Sequence, residues 1–268
     1  MKFIHLSDLH LMPPGQRTAG LDPWDRLEAC LESIQERHPE AELLVITGDV
    51  SSTGQAETYR LLNDKLSAFP LPCRLAPGNH DDRTAMADHL DSLAKDEAGF
   101  LQGVVQTSAG AFIFLDTQSG PHDSPNQHGL LCPRRLEWLK ARLEENAHQA
   151  VYLFMHHPPF VSGMTYMDRS RLANPEDLAR LLEGRTQVRH LFLGHLHRPV
   201  SGSWRGLPFS VQPSTSFQVA LEMGPKPDLI LDHEPPSYGV VLLWPEKTVI
   251  HQEFFLDRSP RITLKKAE

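Results

Sequence analysis

Gly78-Asn79-His80-Asp81 packs a turn-forming glycine, a neutral amide, an imidazole and a carboxylate into four consecutive positions directly after the apolar run Cys73 to Ala76 and Pro77. Asn, His and Asp together offer oxygen and neutral nitrogen donors without thiolate, which suits manganese, iron, zinc or cobalt rather than calcium or an iron-sulfur cluster. One segment cannot hold an ion alone, so the chain must supply partners in the same setting. It does so four more times: Asp8-Leu9-His10 after Lys2 to Leu6, Gly48-Asp49 after Leu43 to Thr47, His156-His157 after Val151 to Met155, and Gly194-His195-Leu196-His197 after Leu191 to Leu193. Polar groups at the ends of strands on one edge of a sheet converge in space. The candidate ligands exceed what one tetrahedral site needs, which implies two ions. A carboxylate shared between two ions is the usual way to hold them about 3.5 to 4 Å apart, and Asp49 is the natural bridge.

The elements that position these residues read as repeated β-α units. Asp22-Pro23 supplies an N-cap and a first-turn proline for a helix from about Pro23 to His38, whose Leu27, Leu31 and Ile34 form one apolar stripe. Further helices are expected over residues 55–66, 84–93 and 133–146 and after Asn174-Pro175, with a hairpin around Ser108-Ala109-Gly110. From Val200 the pattern changes to short extended segments, 200–204, 207–211, 238–243 and 248–256, which predict a second, antiparallel sheet. Residues 223–237, with prolines at 225, 227, 235 and 236, read as an excursion that covers the site or meets a partner.

Composition bounds the partners. Among 268 residues, 34 acidic side chains against 26 basic ones leave a net charge of −8, so no electrostatic footprint for a nucleic-acid polymer or an anionic membrane is visible. A small substrate is expected. Cys30, Cys73 and Cys132 are widely spaced and suggest neither a disulfide framework nor a thiolate metal site. With no export signal and no apolar run near the roughly 20 residues of a membrane helix, a cytoplasmic protein without membrane attachment is expected.

Taken in order, D-x-H, G-D, G-N-H-D, H and G-H-x-H make the chain resemble the calcineurin-like binuclear metallophosphoesterases over residues 1 to about 200. The resemblance implies an α/β fold, a two-sheet β-sandwich flanked by helices, here with a C-terminal antiparallel extension at 200–268 of a single domain. It also implies that Asp8, His10, Asp49 and His197 hold one metal while Asp49, Asn79, His156 and His195 hold the other. Two divalent or mixed-valence ions of manganese, iron, zinc or cobalt would be the cofactors, and His80 a catalytic residue that binds neither. Two dications against Asp8, Asp49 and one hydroxide leave about +1, which suits attack of metal-bound hydroxide on a phosphodiester monoanion.

The protein phosphatase branch carries G-D-x-x-D-R and G-N-H-E, whereas this chain reads Gly48-Asp49-Val50-Ser51-Ser52 and ends the other block in Asp81. Gly78 to Arg83 with Met155-His156-His157-Pro158-Pro159 is more similar to bacterial class III cyclic nucleotide phosphodiesterases and the related glycerophosphodiesterases. The expected substrates are 3',5'-cyclic nucleotides such as cyclic AMP, with glycerophosphodiesters or other small diesters as the alternative; a nuclease and a non-catalytic scaffold are readings of other classes. Where such relatives often place a histidine that can reach substrate, this chain has Ser216-Phe217, and Phe217 can stack on a base or pack. His5 reads as a core histidine, His157 as a hydrogen-bonded or ligand-orienting one, Asp81 and Asp82 as turn or supporting residues, Asp116 as a turn cap and Arg83 as a solvated charge. A homo-oligomer formed through 223–237 is expected.

Overall fold

The apolar runs ahead of the polar clusters become parallel strands that stop where the clusters begin. In a computed structural model, which describes residues 1–120, 127–225, 228–260 and 262–264, β1 (Lys2–Leu6), β2 (Leu43–Thr47) and β3 (Cys73–Ala76) run parallel. Helices α1 (Pro23–Arg37) and α2 (Ala56–Ser67) cross between them. Asp22 caps α1 by accepting from the Trp24 N–H at 2.9 Å, as its place before a first-turn proline predicts. α3 (Arg83–His89) follows β3 and is shorter than expected, because Leu90 has an extended backbone.

A second sheet forms from the hairpin β4 (Gly103–Thr107) and β5 (Gly110–Phe114), then β6 (Val151–Phe154) and β7 (Val188–Leu193), with α4 (Pro133–Glu145) and α5 (Pro175–Leu182) in the crossovers. Asn174 does not cap α5 with its side chain; its amide instead exchanges hydrogen bonds with the Leu131 backbone at 2.8 and 3.1 Å. The 3-10 turn at Met167–Ser170 was not foreseen.

The C-terminal segments are antiparallel, but they do not form one sheet of their own. β8 (Val200–Trp204) and β9 (Leu207–Val211) extend the second sheet, β9 lying parallel to β7. β12 (Tyr238–Trp244) pairs antiparallel with β1, and β13 (Lys247–Glu253) pairs with β12. The sheet orders are therefore β13-β12-β1-β2-β3 and β4-β5-β6-β7-β9-β8, with β10 (Gln218–Val219) and β11 (Leu231–Asp232) as a small ribbon. Each main sheet had a free edge, and period-two alternation identifies a strand without naming its neighbour.

Side chains alternate across these strands and divide the core into three layers. Ile4, Leu6, Leu44 and Ile46 pack under Leu27 and Ile34 of α1 and Tyr59 and Leu62 of α2. Phe3, Val45, Phe112, Phe154, Phe192 and Val241 fill the space between the sheets, with Phe154 stacked on Phe192 at 4.9 Å. Ile113, Leu153 and Leu191 face Leu139 of α4 and Leu178 of α5. The result is the expected two-sheet sandwich flanked by helices.

Candidate dimetal site

The carboxyl ends of β1, β2, β3, β6 and β7 meet at one edge of the sandwich, and the loops that leave them are tightly laced. Asp8 and His10 donate their backbone N–H groups to the carbonyls of Gly48 and Asp49 at 3.0 and 2.9 Å. Five of the seven expected ligands have a left-handed backbone: Asp8, His10, Asp49, His195 and His197, with φ from 47° to 74°. For a residue other than glycine this conformation costs about 1–3 kcal/mol and persists where the surroundings impose it. The strain is concentrated on the side chains that must point inward.

Two donor clusters result. In the first, Asp8 Oδ1 lies 3.3 Å from His197 Nε2 and 4.0 Å from His10 Nε2, while Asp49 Oδ2 lies 3.7 Å from His10 Nε2. In the second, Asp49 Oδ2 lies 3.3 Å from His156 Nε2, which is 3.1 Å from Asn79 Oδ1 and 3.2 Å from His195 Nδ1. The same Asp49 oxygen faces both clusters. Its other oxygen is occupied, accepting the His80 N–H at 2.8 Å.

Hydrogen bonds to backbone carbonyls fix which imidazole nitrogen is free, because a carbonyl can only accept. His156 Nδ1 donates to Thr47 O at 2.7 Å and His197 Nδ1 to Phe217 O at 2.9 Å, so in each the Nε2 turns to the cluster. His195 is reversed: its Nε2 meets Ser170 Oγ at 2.9 Å and its Nδ1 turns inward. His10 Nε2 and His197 Nε2 stand 2.9 Å apart, either sharing a proton or converging on one ion. Asp8 Oδ1 is buried with no hydrogen-bond partner. An orphaned carboxylate oxygen beside opposed imidazole nitrogens fits a transition-metal donor set, and the clusters accommodate two metal ions.

The electrostatics agree. Burial favours the neutral form of Asp8, yet His197 and His156 outweigh it and hold its carboxyl at about 2. Burial opposes protonation of His156, but the Asp49 and Asp8 carboxylates raise it to about 9. Burial and then the charge of His156 lower His195 to about 3. Two buried carboxylates held in their ionised form thus favour positive charge at the centre between them.

The remaining candidates have defined places. His80 sits at the rim, half-buried, its ring centroid 5.0 Å from that of His10. His157 is fully buried; Thr117 Oγ1 donates to its Nδ1 at 2.7 Å and its Nε2 donates to Gln127 O at 3.1 Å, so both nitrogens are engaged beside the cluster. His5 is a core residue 2.9 Å from Thr47 Oγ1. Asp82 caps α3 through Ala85 N. Arg83 is not a solvated charge: it grips Asp116 with two nitrogens at 2.7 and 3.0 Å, and Asp116 also meets Arg135 besides capping its turn through Gln118 N. Phe217 packs, its ring 5.0 Å from His10 and 4.8 Å from His197. Sequence reasoning missed Ser170, the Thr47 and Phe217 carbonyls and Tyr59, because none belongs to a metal-ligand pattern; they are found only through what they touch.

A two-sheet sandwich that presents two donor clusters with a shared carboxylate at its carboxyl edge defines the class of dimetal phosphoesterases. Residues 1–199 match the family model of calcineurin-like phosphoesterases, and the chain belongs to that family. It is 38% identical over 265 residues to a probable cyclic nucleotide phosphodiesterase of Rhodopseudomonas palustris, covering 98% of this chain and 96% of the relative. A probable glycerophosphodiester phosphodiesterase of Arcobacter nitrofigilis is 30% identical over 88% of this chain and 86% of its own. Among solved structures, a dimetal phosphatase from Danio rerio superposes with a TM-score of 0.69 over 96% of both chains at 16% identity, a likeness of fold.

Proposed function

We propose that the chain is a metal-dependent phosphodiesterase of small diesters, with 3',5'-cyclic nucleotides as the preferred class. The shared Asp49 oxygen between the two clusters carries the dimetal reading; the diesterase activity and the preference for cyclic nucleotides rest on the 38% identity to a relative so named over nearly the whole of both chains. Asp8, His10, Asp49 and His197 hold one ion, and Asp49, Asn79, His156 and His195 the other. When bound, the ions supply Lewis acidity toward the phosphoryl oxygens and lower the pKa of the attacking water. His80, at the rim with its backbone fixed on Asp49, contacts the phosphoryl or leaving oxygen and delivers a proton to the departing alkoxide. Thr47, Phe217 and Ser170 keep the ligand nitrogens turned inward.

Glycerophosphodiesters are the second reading, favoured by the 30% identical relative. Metal-stripped protein with manganese restored, offered cyclic AMP, glycerophosphocholine and a nitrophenyl monoester at equal concentration, separates them. Cyclic AMP turnover should lead. Glycerophosphocholine in front selects the second reading, and a monoester lead contradicts both.

Residues 1–268 act as one domain in this account, with 200–268 as its C-terminal β extension. The excursion exposes Met223, Leu229, Ile230 and Leu231, which supports self-association through that face; residues 226–227 of it lie outside the described residues. A monomeric mass by light scattering would count against it. Three unpaired cysteines support a cytoplasmic setting, which cell fractionation tests. Among the described residues, no helix is long and apolar enough to cross a membrane.

A further inference from the structure

Two of the loops that carry the second cluster lie side by side, one leaving β2 with Asp49 and one leaving β3 with Asn79 and, next to it, His80. Their close approach requires glycine on both sides: a Cβ on Gly48 would lie 2.7 Å from both Gly78 N and His156 Nδ1, and one on Gly78 would strike the Asp49 carboxylate and backbone. Close approach alone does not fix their relative position. Asp81 does, because its fully buried carboxylate accepts from Val50 N at 3.2 Å and Ser51 N at 3.0 Å in the first loop and from Gly78 N at 2.9 Å in the second.

A fourth donor comes from outside both loops. The Tyr59 hydroxyl, fully buried in the first turns of α2, donates to Asp81 Oδ1 at 3.0 Å and accepts the Asp82 N–H at 2.9 Å. It is thus the point where a helix otherwise devoted to the core grips the turn that presents Asn79 and His80. Burial, and then the Asp81 carboxylate, push the phenol up, so it remains a donor. Its ring packs in the same outer core layer as Leu62 and Met86, which holds the hydroxyl in place.

We infer that Tyr59 is a positioning residue for the second metal cluster, setting through Asp81 and Asp82 the place of Asn79 relative to the shared Asp49. The inference rests on the dimetal reading above. Tyr59→Phe keeps the ring and removes only the hydroxyl. Tyr238 provides the control, since it too is a fully buried tyrosine of that layer, but its hydroxyl meets Ser33 Oγ of α1 at 3.1 Å and not a loop that carries a candidate ligand.

The test is calorimetric titration of stripped protein with manganese, for wild type, Tyr59→Phe and Tyr238→Phe, with melting temperatures recorded beside it. Wild type and Tyr238→Phe should take two ions with the same pair of affinities. Tyr59→Phe should keep the first and bind the second about 10- to 100-fold more weakly, the usual loss when a group behind a metal ligand is removed. Tyr59→Phe binding both ions like wild type, with only a lowered melting temperature, would reduce Tyr59 to a structural role and overturn the inference while leaving the dimetal reading intact. An equal loss in Tyr238→Phe would overturn it as well. A wild type that takes a single ion overturns the dimetal reading and this inference with it.

Discussion

His80 is the one histidine of the ordered motifs whose ring has no place in either donor cluster as assigned, although it lies close to the first. Its backbone N–H is committed to Asp49 Oδ1, so truncating the side chain leaves that hydrogen bond in place. His80→Ala should therefore retain two bound ions by elemental analysis while turnover of an alkyl diester falls about 10²- to 10⁴-fold, the range of a lost general acid. Unchanged turnover would remove His80 from the chemistry. The candidate donors and their order were legible in the sequence because metal chemistry demands particular side chains, and the structure brings these side chains together. The orientation of each imidazole was not, since it depends on carbonyls such as Thr47 O and Phe217 O, and backbone groups have no sequence signature. Phe217 illustrates the same limit: its residue type permits stacking on a base, but its ring and carbonyl both serve the ligand histidines.

At the scale of elements, the loops leaving β2 and β3 are held so closely that there is no room for a methyl group between them. Gly78→Ala places a Cβ against Asp49 itself, so the shared carboxylate or the loop must shift. Overpacking of this kind costs about 1–3 kcal/mol. The expected outcome is a lower melting temperature together with loss of the second ion from the as-purified protein, and an alanine variant with full metal content would contradict the packing account. The β-α units that frame these loops were readable from apolar runs and from caps such as Asp22-Pro23. The destinations of β9 and β12 were not. β12 pairs with β1, far away in the chain, and β9 runs parallel to β7, so nothing in their own alternating patterns distinguishes these partners from each other. Arg83 was misread for the same reason, because its partner Asp116 lies across the fold.

The whole molecule buries histidines that have nothing to do with metal, and these make its stability depend on pH. Burial, then repulsion from His190, lowers His5 to about 3, and burial lowers His190 to about 4. Both are neutral in the folded protein but take up protons when unfolded, so their contribution is present above about pH 6.5 and is lost as pH falls toward 4 and 3. Each can contribute a slope of up to about 1.4 kcal/mol per pH unit in that window. Urea unfolding of stripped protein should show a midpoint that drops between pH 6.5 and 4, less steeply in His190→Gln, whereas a flat profile would place these side chains in contact with water. The most direct test of the account as a whole is to titrate manganese into stripped protein while following hydrolysis of bis(p-nitrophenyl) phosphate. Activity absent at the start and reaching its plateau at two ions per chain is the predicted result. Diester hydrolysis that persists without metal, or that saturates at one ion per chain, would contradict a centre built on the shared carboxylate of Asp49.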